Sequence, residues 1–135
     1  MALHLTKVAV GLSEVDGLRA RLAARVEGGL SHVTTRFRPT RADEVIGGSL
    51  FWIIKHRLVA RSPIHGFGED PEPNRIRILI APEPILVRAL PRRAHQGWRY
   101  LAADDAPPDL FGGEIAGVEA MPGALLAELS ALALL

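Results

Sequence analysis

The sequence predicts an α+β domain: a curved, mostly antiparallel sheet of about five strands, with one N-terminal and one C-terminal helix packed on it. Short runs alternate apolar and polar side chains with a period of two, and two longer runs repeat apolar residues every three or four positions. The chain has 135 residues, of which 48% are hydrophobic. We therefore expect a single domain over residues 1–135, with its sheet either open or closed into a small barrel.

The first part of the chain is predicted to form a strand, a helix and a second strand. Residues 3–10 are rich in β-branched and aliphatic side chains, which favours a strand. Ser13 is the expected N-cap of a helix whose apolar stripe of four residues runs from Val15 to Val26 and stops at a glycine pair. Residues 30–38 alternate again, which predicts a strand with one basic, solvated face.

The stretch of residues 49–61 is expected to be the structural centre. A short helix over residues 40–46 precedes it. The first half of the stretch is apolar at every position, so a strand there needs cover on both faces. Its second half places Lys55, Arg57 and Arg61 on one face. We interpret the whole stretch as a single strand that leaves the core with a basic end.

The remaining elements are predicted from the positions of glycine and proline and from the alternation of apolar and polar residues. Residues 62–74 contain five glycines and prolines, which predicts an exposed loop. Residues 75–81 and 85–90 are expected to be strands on either side of a tight turn. Pro122 stands where a helix is expected to begin, and the leucines after it predict a C-terminal helix that needs a core to lie on.

Composition excludes several classes of protein and site. Without cysteine the chain has no disulfide, thiolate metal site or cysteine nucleophile. No apolar run approaches the roughly 20 residues of a membrane span, and the N-terminus does not resemble a secretory signal. We therefore expect a cytoplasmic protein with no membrane partner.

No motif of a known catalytic class is present, so an enzyme is the less favoured interpretation. The sequence lacks the strand–turn–helix serine elbow and the glycine-rich phosphate loops. His32, His56, His65 and His95 do not have the spacing of metal ligands, and we expect neither a metal nor another cofactor. His56 is the most notable histidine, because the predicted strand places it beside apolar residues.

A set of basic and aromatic residues in the middle of the chain is the strongest functional signal. Residues 30–100 carry twelve bases against six acids, and residues after 100 carry six acids and no base. Arginine and lysine contact phosphates, while an exposed aromatic ring stacks on an unpaired base. The candidate binding residues are Arg36, Arg38, Arg41, Lys55, His56, Arg57, Arg61, Arg92, Arg93, His95, Trp98, Arg99 and Tyr100. This combination suits single-stranded RNA or an RNA loop.

Four segments of the chain resemble a small bacterial family known as domain of unknown function 1489. They are TRFRPTRADE at 35–44, GGSLFWIIK at 47–55, QGWRYL at 96–101 and DDAPPDL at 104–110. The similarity extends over nearly the whole chain. It implies a single-domain cytosolic bacterial protein but supplies no activity or catalytic residues.

Three functional hypotheses remain open. The first is an RNA-binding module, similar to the small PUA-like barrels that accompany RNA-modifying enzymes. The second is an enzyme or binding domain for an anionic metabolite, with Arg36, Lys55 and Arg57 as the anion clamp and His56 or His95 as acid or base. The third is a structural protein that forms a homodimer through the C-terminal leucines. An open basic groove would favour RNA, a closed pocket would favour the metabolite, and pairing of the arginines with the acidic C-terminal third would leave only a solvated face.

Overall fold

The computed structural model describes residues 3–110, which form seven strands and two α-helices. The strands are β1 (His4–Val8), β2 (Ser31–Thr35), β3 (Ser49–Ile54), β4 (Arg57–Glu69), β5 (Ile76–Ile80), β6 (Ile85–Pro91) and β7 (Trp98–Leu101). The helices are α1 (Val15–Ala24) and α2 (Ala42–Val45), and one turn of 3-10 helix follows at Ala103–Asp105.

The strands form one sheet in the order β2-β5-β4-β3-β1-β7, with β6 also paired to β4. Every pairing is antiparallel except β1 with β3, which is parallel. The first half of β4 pairs with β3 and β6, and its second half pairs with β5. Extra residues at Val59 and His65 shift the register of β4. Such bulges bend a strand, so β4 carries the sheet around a corner.

Strand β3 lies between two hydrophobic clusters, and all six of its residues are buried. Leu50, Trp52 and Ile54 pack in the larger cluster with the apolar side of α1. Phe51 and Ile53 pack in the smaller cluster on the opposite face. The prediction that this segment is covered on both faces is confirmed.

The interpretation of residues 49–61 as one strand is wrong, because the chain reverses at Lys55 and His56. Ile54 pairs with Arg57, so Lys55 and His56 form the whole loop of a β-hairpin. Both have positive φ, 52° and 60°, as the tight mirror-image hairpin turn requires. Asparagine and glycine usually mark this turn, and neither occurs here. The alternation of side chains therefore continues through the turn, and the sequence gives no signal of the reversal.

The expected loop over residues 62–74 is also wrong in its first half, where β4 continues to Glu69. Pro63 lies at the end of the pairing with β3, and the pairing with β5 begins at Ile64. Proline lacks a backbone N–H but keeps its carbonyl acceptor, so it is tolerated where a strand changes partner and that N–H is not needed for pairing. Its carbonyl still accepts a hydrogen bond from the Ala81 amide at 3.0 Å.

The predicted fold class is therefore wrong. The described residues form an open, mostly β structure of seven strands rather than a five-stranded α+β sheet with two packed helices, and strand pairing does not close it into a barrel. The two additional strands arise from the hairpin and from the short edge segment Trp98–Leu101, for which the sequence pattern predicts no strand. The predicted C-terminal helix lies outside the described residues.

The hairpin turn yields a test of local backbone strain. A glycine at position 56 adopts positive φ without a steric penalty, whereas an alanine retains that penalty. Both His56→Gly and His56→Ala remove the imidazole, so the difference in stability between the two variants reports the backbone effect alone. We expect the glycine variant to exceed the alanine variant in free energy of unfolding by about 1 kcal/mol, measured by urea denaturation. Equal stability would contradict the assignment of the turn.

Candidate functional site

An open cleft of about 550 Å³ lies between β2 and β7, the strands at the two ends of the sheet order, and we call it the β2–β7 cleft. Three cationic and two aromatic side chains line it together with polar residues. The lining residues are Lys7, Thr34, Thr35, Arg36, Phe37, Arg75, Gln96, Gly97 and Trp98. No carboxylate is among the described residues that line it.

Lys7 reaches the cleft because of its place on β1. Side chains alternate along a strand, so Lys7 shares a face with Leu5 and Ala9, which are buried in the larger cluster. Trp98 of β7 lies directly opposite Lys7 in the antiparallel register and packs against the same cluster. The half-buried lysine therefore stands beside the indole at the edge of the core.

Arg36, Phe37 and Arg75 come from two segments that meet at one end of the sheet. Arg36 and Phe37 directly follow β2, and Arg75 directly precedes β5. Thr35 pairs with Ile76, so the antiparallel register brings the residues beyond them together. Phe37 is 72% exposed, an unusual position for a phenylalanine and a suitable one for stacking.

The position of Trp98 is fixed by a chain of contacts. Its Nε1 donates a hydrogen bond to the carbonyl oxygen of Phe37 at 2.9 Å, which bridges the two sides of the cleft. Its ring packs edge-to-face on Tyr100 at 4.9 Å. The Tyr100 hydroxyl accepts a hydrogen bond from the Arg41 amide, and the Arg41 guanidinium lies 5.7 Å from the Tyr100 ring centroid. The Arg41 side chain also pairs with both carboxylate oxygens of Glu44.

The charges of the cleft are poorly neutralised. Within residues 3–110, the side chains of Lys7 and Arg36 have no hydrogen bond or ion pair. Arg75 pairs with Glu72 at 3.3 Å. Burial lowers the pKa of Lys7, and the nearby charges of Arg25 and Arg75 lower it further. Since each of these effects penalises the ammonium form, the cleft favours an anion that would offset them.

The predicted basic residues of the hairpin do not reach the cleft. Lys55, His56 and Arg57 lie at the β3–β4 turn, where the His56 carbonyl accepts a hydrogen bond from the Arg92 amide at 2.8 Å. Arg93 follows in the same segment. Lys55 and Arg57 line a separate pocket of about 530 Å³ that also contains the carboxylates of Glu14 and Asp16. The candidates therefore divide into two groups rather than one continuous surface.

Arg61 and Arg38 are engaged in contacts of the fold. The Arg61 guanidinium binds both carboxylate oxygens of Asp109, at 2.7 and 2.8 Å, and the hydroxyl of Ser49 at 2.9 Å. Arg38 stacks over the ring of Phe67 at 5.4 Å. The ion pair and hydrogen bond of Arg61 therefore give this residue a structural role.

His95 and Arg99 do not line the cleft, because the strand register places Arg99 and Thr6, the contact of His95, on the opposite face from Lys7 and Trp98. His95 Nε2 is 2.8 Å from the hydroxyl of the buried Thr6, a residue that pairs in register with Arg99. Burial lowers the pKa of His95, and the charges of Arg99, Lys7 and Arg92 act in the same direction. His95 also lines a smaller pocket of about 420 Å³ together with Lys7, Gln96 and Gly97.

Sequence reasoning found two of the residues that line the cleft, Arg36 and Trp98, and missed Lys7, Phe37 and Arg75. The available signal for Lys7 was its position on an otherwise apolar strand face between Leu5 and Ala9. Arg75 carried no comparable signal, because its proximity to Lys7 depends on the order of the strands.

Residues 3–110 lack two further features. That part of the chain contains no group of three or more histidine, aspartate or glutamate residues arranged to hold a metal ion. None of its helices has the length and apolar character needed to cross a membrane.

The fold and cleft define a mostly β domain with a basic, aromatic-walled groove at the junction of its sheet edges. Residues 5–135 match the model of the family described as protein of unknown function (DUF1489), and the chain belongs to that family. The resemblance found in the sequence is thereby confirmed. No curated protein and no solved structure matches the chain.

The Arg61–Asp109 pair yields a prediction on acid stability. Hydrogen bonds from Arg61 lower the pKa of Asp109, so its stabilising effect is present above the unfolded pKa of about 4 and is lost as pH falls through the lower folded value. We expect Asp109→Asn to lower the free energy of unfolding by about 1 to 2 kcal/mol near pH 7, with the difference shrinking at acid pH. Urea denaturation at several pH values measures it. Asp104→Asn, an exposed carboxylate change, is the control and should show little effect; a constant deficit at all pH values for Asp109→Asn would contradict the assignment.

Proposed function

We propose that this protein binds single-stranded RNA through the β2–β7 cleft. The observation that carries the proposal is the convergence of Lys7, Arg36 and Arg75 with two aromatic rings, Phe37 and Trp98, in a cleft lined by no carboxylate among the described residues. Cations bind the phosphate backbone and aromatic side chains stack on unpaired bases, which is the general composition of single-strand binding sites.

The shape of the cleft supports a polymer rather than an enclosed metabolite. The cleft is open to solvent, and a neighbouring depression of about 670 Å³ shares Arg36, Phe37 and Arg75 with it. The exposed ring of Phe37 lines both, although the depression also contains the Glu72 carboxylate that pairs with Arg75.

The first experiment tests the cationic contribution. Binding of a fluorescein-labelled 12-nucleotide single-stranded RNA is followed by anisotropy across a series of salt concentrations. We expect Arg36→Gln to weaken binding several-fold and to reduce the slope of log affinity against log salt by about 0.7, since one phosphate contact is lost. Arg19→Gln removes the same charge at the ion pairs with Asp16 and Glu83, outside the cleft, and should have no such effect.

The same anisotropy measurement gives the outcomes that would contradict the proposal. If the wild-type protein leaves the anisotropy of the RNA unchanged even at low salt, the proposal is wrong. Binding that Arg36→Gln and Arg19→Gln weaken equally would place RNA on another surface.

The second experiment tests stacking. Phe37 is 72% exposed, so Phe37→Ala should leave the stability of the fold nearly unchanged. Loss of one stacked base costs about 1 to 3 kcal/mol, and we therefore expect affinity for single-stranded RNA to fall by roughly 5- to 150-fold. Ile46→Ala, which truncates another exposed apolar residue, is the control. Unchanged affinity in Phe37→Ala would exclude stacking on this ring.

A further inference from the structure

The charge of the cleft exceeds what an internal nucleotide requires. An internal phosphodiester carries a single negative charge, whereas a terminal phosphomonoester carries about −1.5 to −2 at neutral pH and presents three acceptor oxygens. Three cationic side chains surround the cleft, and Glu72 is the carboxylate paired with one of them, Arg75. The arrangement matches the higher charge.

The half-buried position of Lys7 favours a compact, strongly charged group. A solvated surface lysine gains little from binding one exposed phosphodiester. Lys7 stands at the edge of the core beside Arg75 and Arg25, and its ammonium is destabilised there until an anion arrives. Arg36 supplies planar donors suited to two phosphate oxygens, while Lys7 supplies a point charge.

The Trp98 bridge limits how a strand runs through the cleft. The hydrogen bond from Trp98 Nε1 to the Phe37 carbonyl joins the two sides of the opening. Tyr100 and Arg41 lie beyond this bridge and do not line the cleft. The bridge therefore bounds the cleft on the side of Tyr100 and Arg41, and a binding site that is bounded on one side suits a chain end.

We propose that the β2–β7 cleft recognises the terminal phosphomonoester of a single-stranded RNA, with Lys7, Arg36 and Arg75 on the phosphate and Phe37 and Trp98 against the terminal base. This inference rests on the proposed function, because it names the part of the RNA that the same site takes.

Competition by unlabelled RNA tests the inference. Three octamers of identical sequence carry a 5′-phosphate, a 3′-phosphate or two hydroxyl ends, and each displaces a labelled RNA from the wild-type protein. We expect one phosphorylated octamer to compete about tenfold better than the hydroxyl octamer, and the arm that does so identifies the end recognised. Lys7→Met and Arg36→Gln should abolish this preference, while Arg19→Gln should retain it.

The outcomes separate this inference from the proposed function. Equal competition by all three octamers would overturn terminal recognition and leave RNA binding intact. No binding of the labelled RNA would reject both. If Lys7→Met does not fold, as judged by circular dichroism, Arg36→Gln decides the question, because Arg36 is exposed. Retention of the full preference in Arg36→Gln would overturn the assignment to this cleft.

Discussion

The burial of β3 on both faces is the constraint on which the other elements depend. A strand with no solvated face needs a layer on each side, and here α1 with residues of β2, β4 and β5 supplies one layer while β6, β7 and the segment after them contribute to the other. The Trp52 indole meets the polar requirement of this environment by donating to the Ser62 hydroxyl at 2.9 Å. Gly48 immediately before β3 allows β1 to approach, because a Cβ there would overlap the carbonyl oxygen of Leu3. The parallel pairing of β1 with β3, and hence the position of Lys7, follows from this approach.

Local periodicity predicted the elements whose faces are distinct. The first helix, the strands near residues 3–10, 30–38, 75–81 and 85–90, and the apolar segment from Leu50 to Ile54 were all found in the structure. Local periodicity failed where the course of the backbone does not match the local sequence signals. At Lys55 and His56 the chain reverses although neither residue is a usual turn former, and at Pro63 it continues although proline and glycine are frequent. In both places pairing with neighbouring strands overrides local preference.

The candidate site shows the same division between local and long-range information. The aromatic pair Trp98 and Tyr100 was recognised from its composition, and the structure places Trp98 in the cleft wall with Tyr100 supporting it. Composition does not separate arginines that form structural pairs from those that lack them. Arg61 satisfies its charge with Asp109, whereas Arg36 has no such partner in the described chain. That difference is fixed by strand order, which no pattern along the sequence records.

The length of β4 ties the stability of the whole sheet to one strand. Its 13 residues pair with β3 and β6 in the first half and with β5 in the second, so without β4 the strands β3, β5 and β6 each lose a neighbour and the β2–β5 pair is separated from β3, β1 and β7. The two parts therefore open together rather than as separate units, and their backbone amides should exchange with solvent deuterium through a shared, global event. The edge strands β2 and β7 are held from one side only and can fray without that event. The mouth of the cleft thus belongs to the least protected part of a sheet whose centre is the most protected.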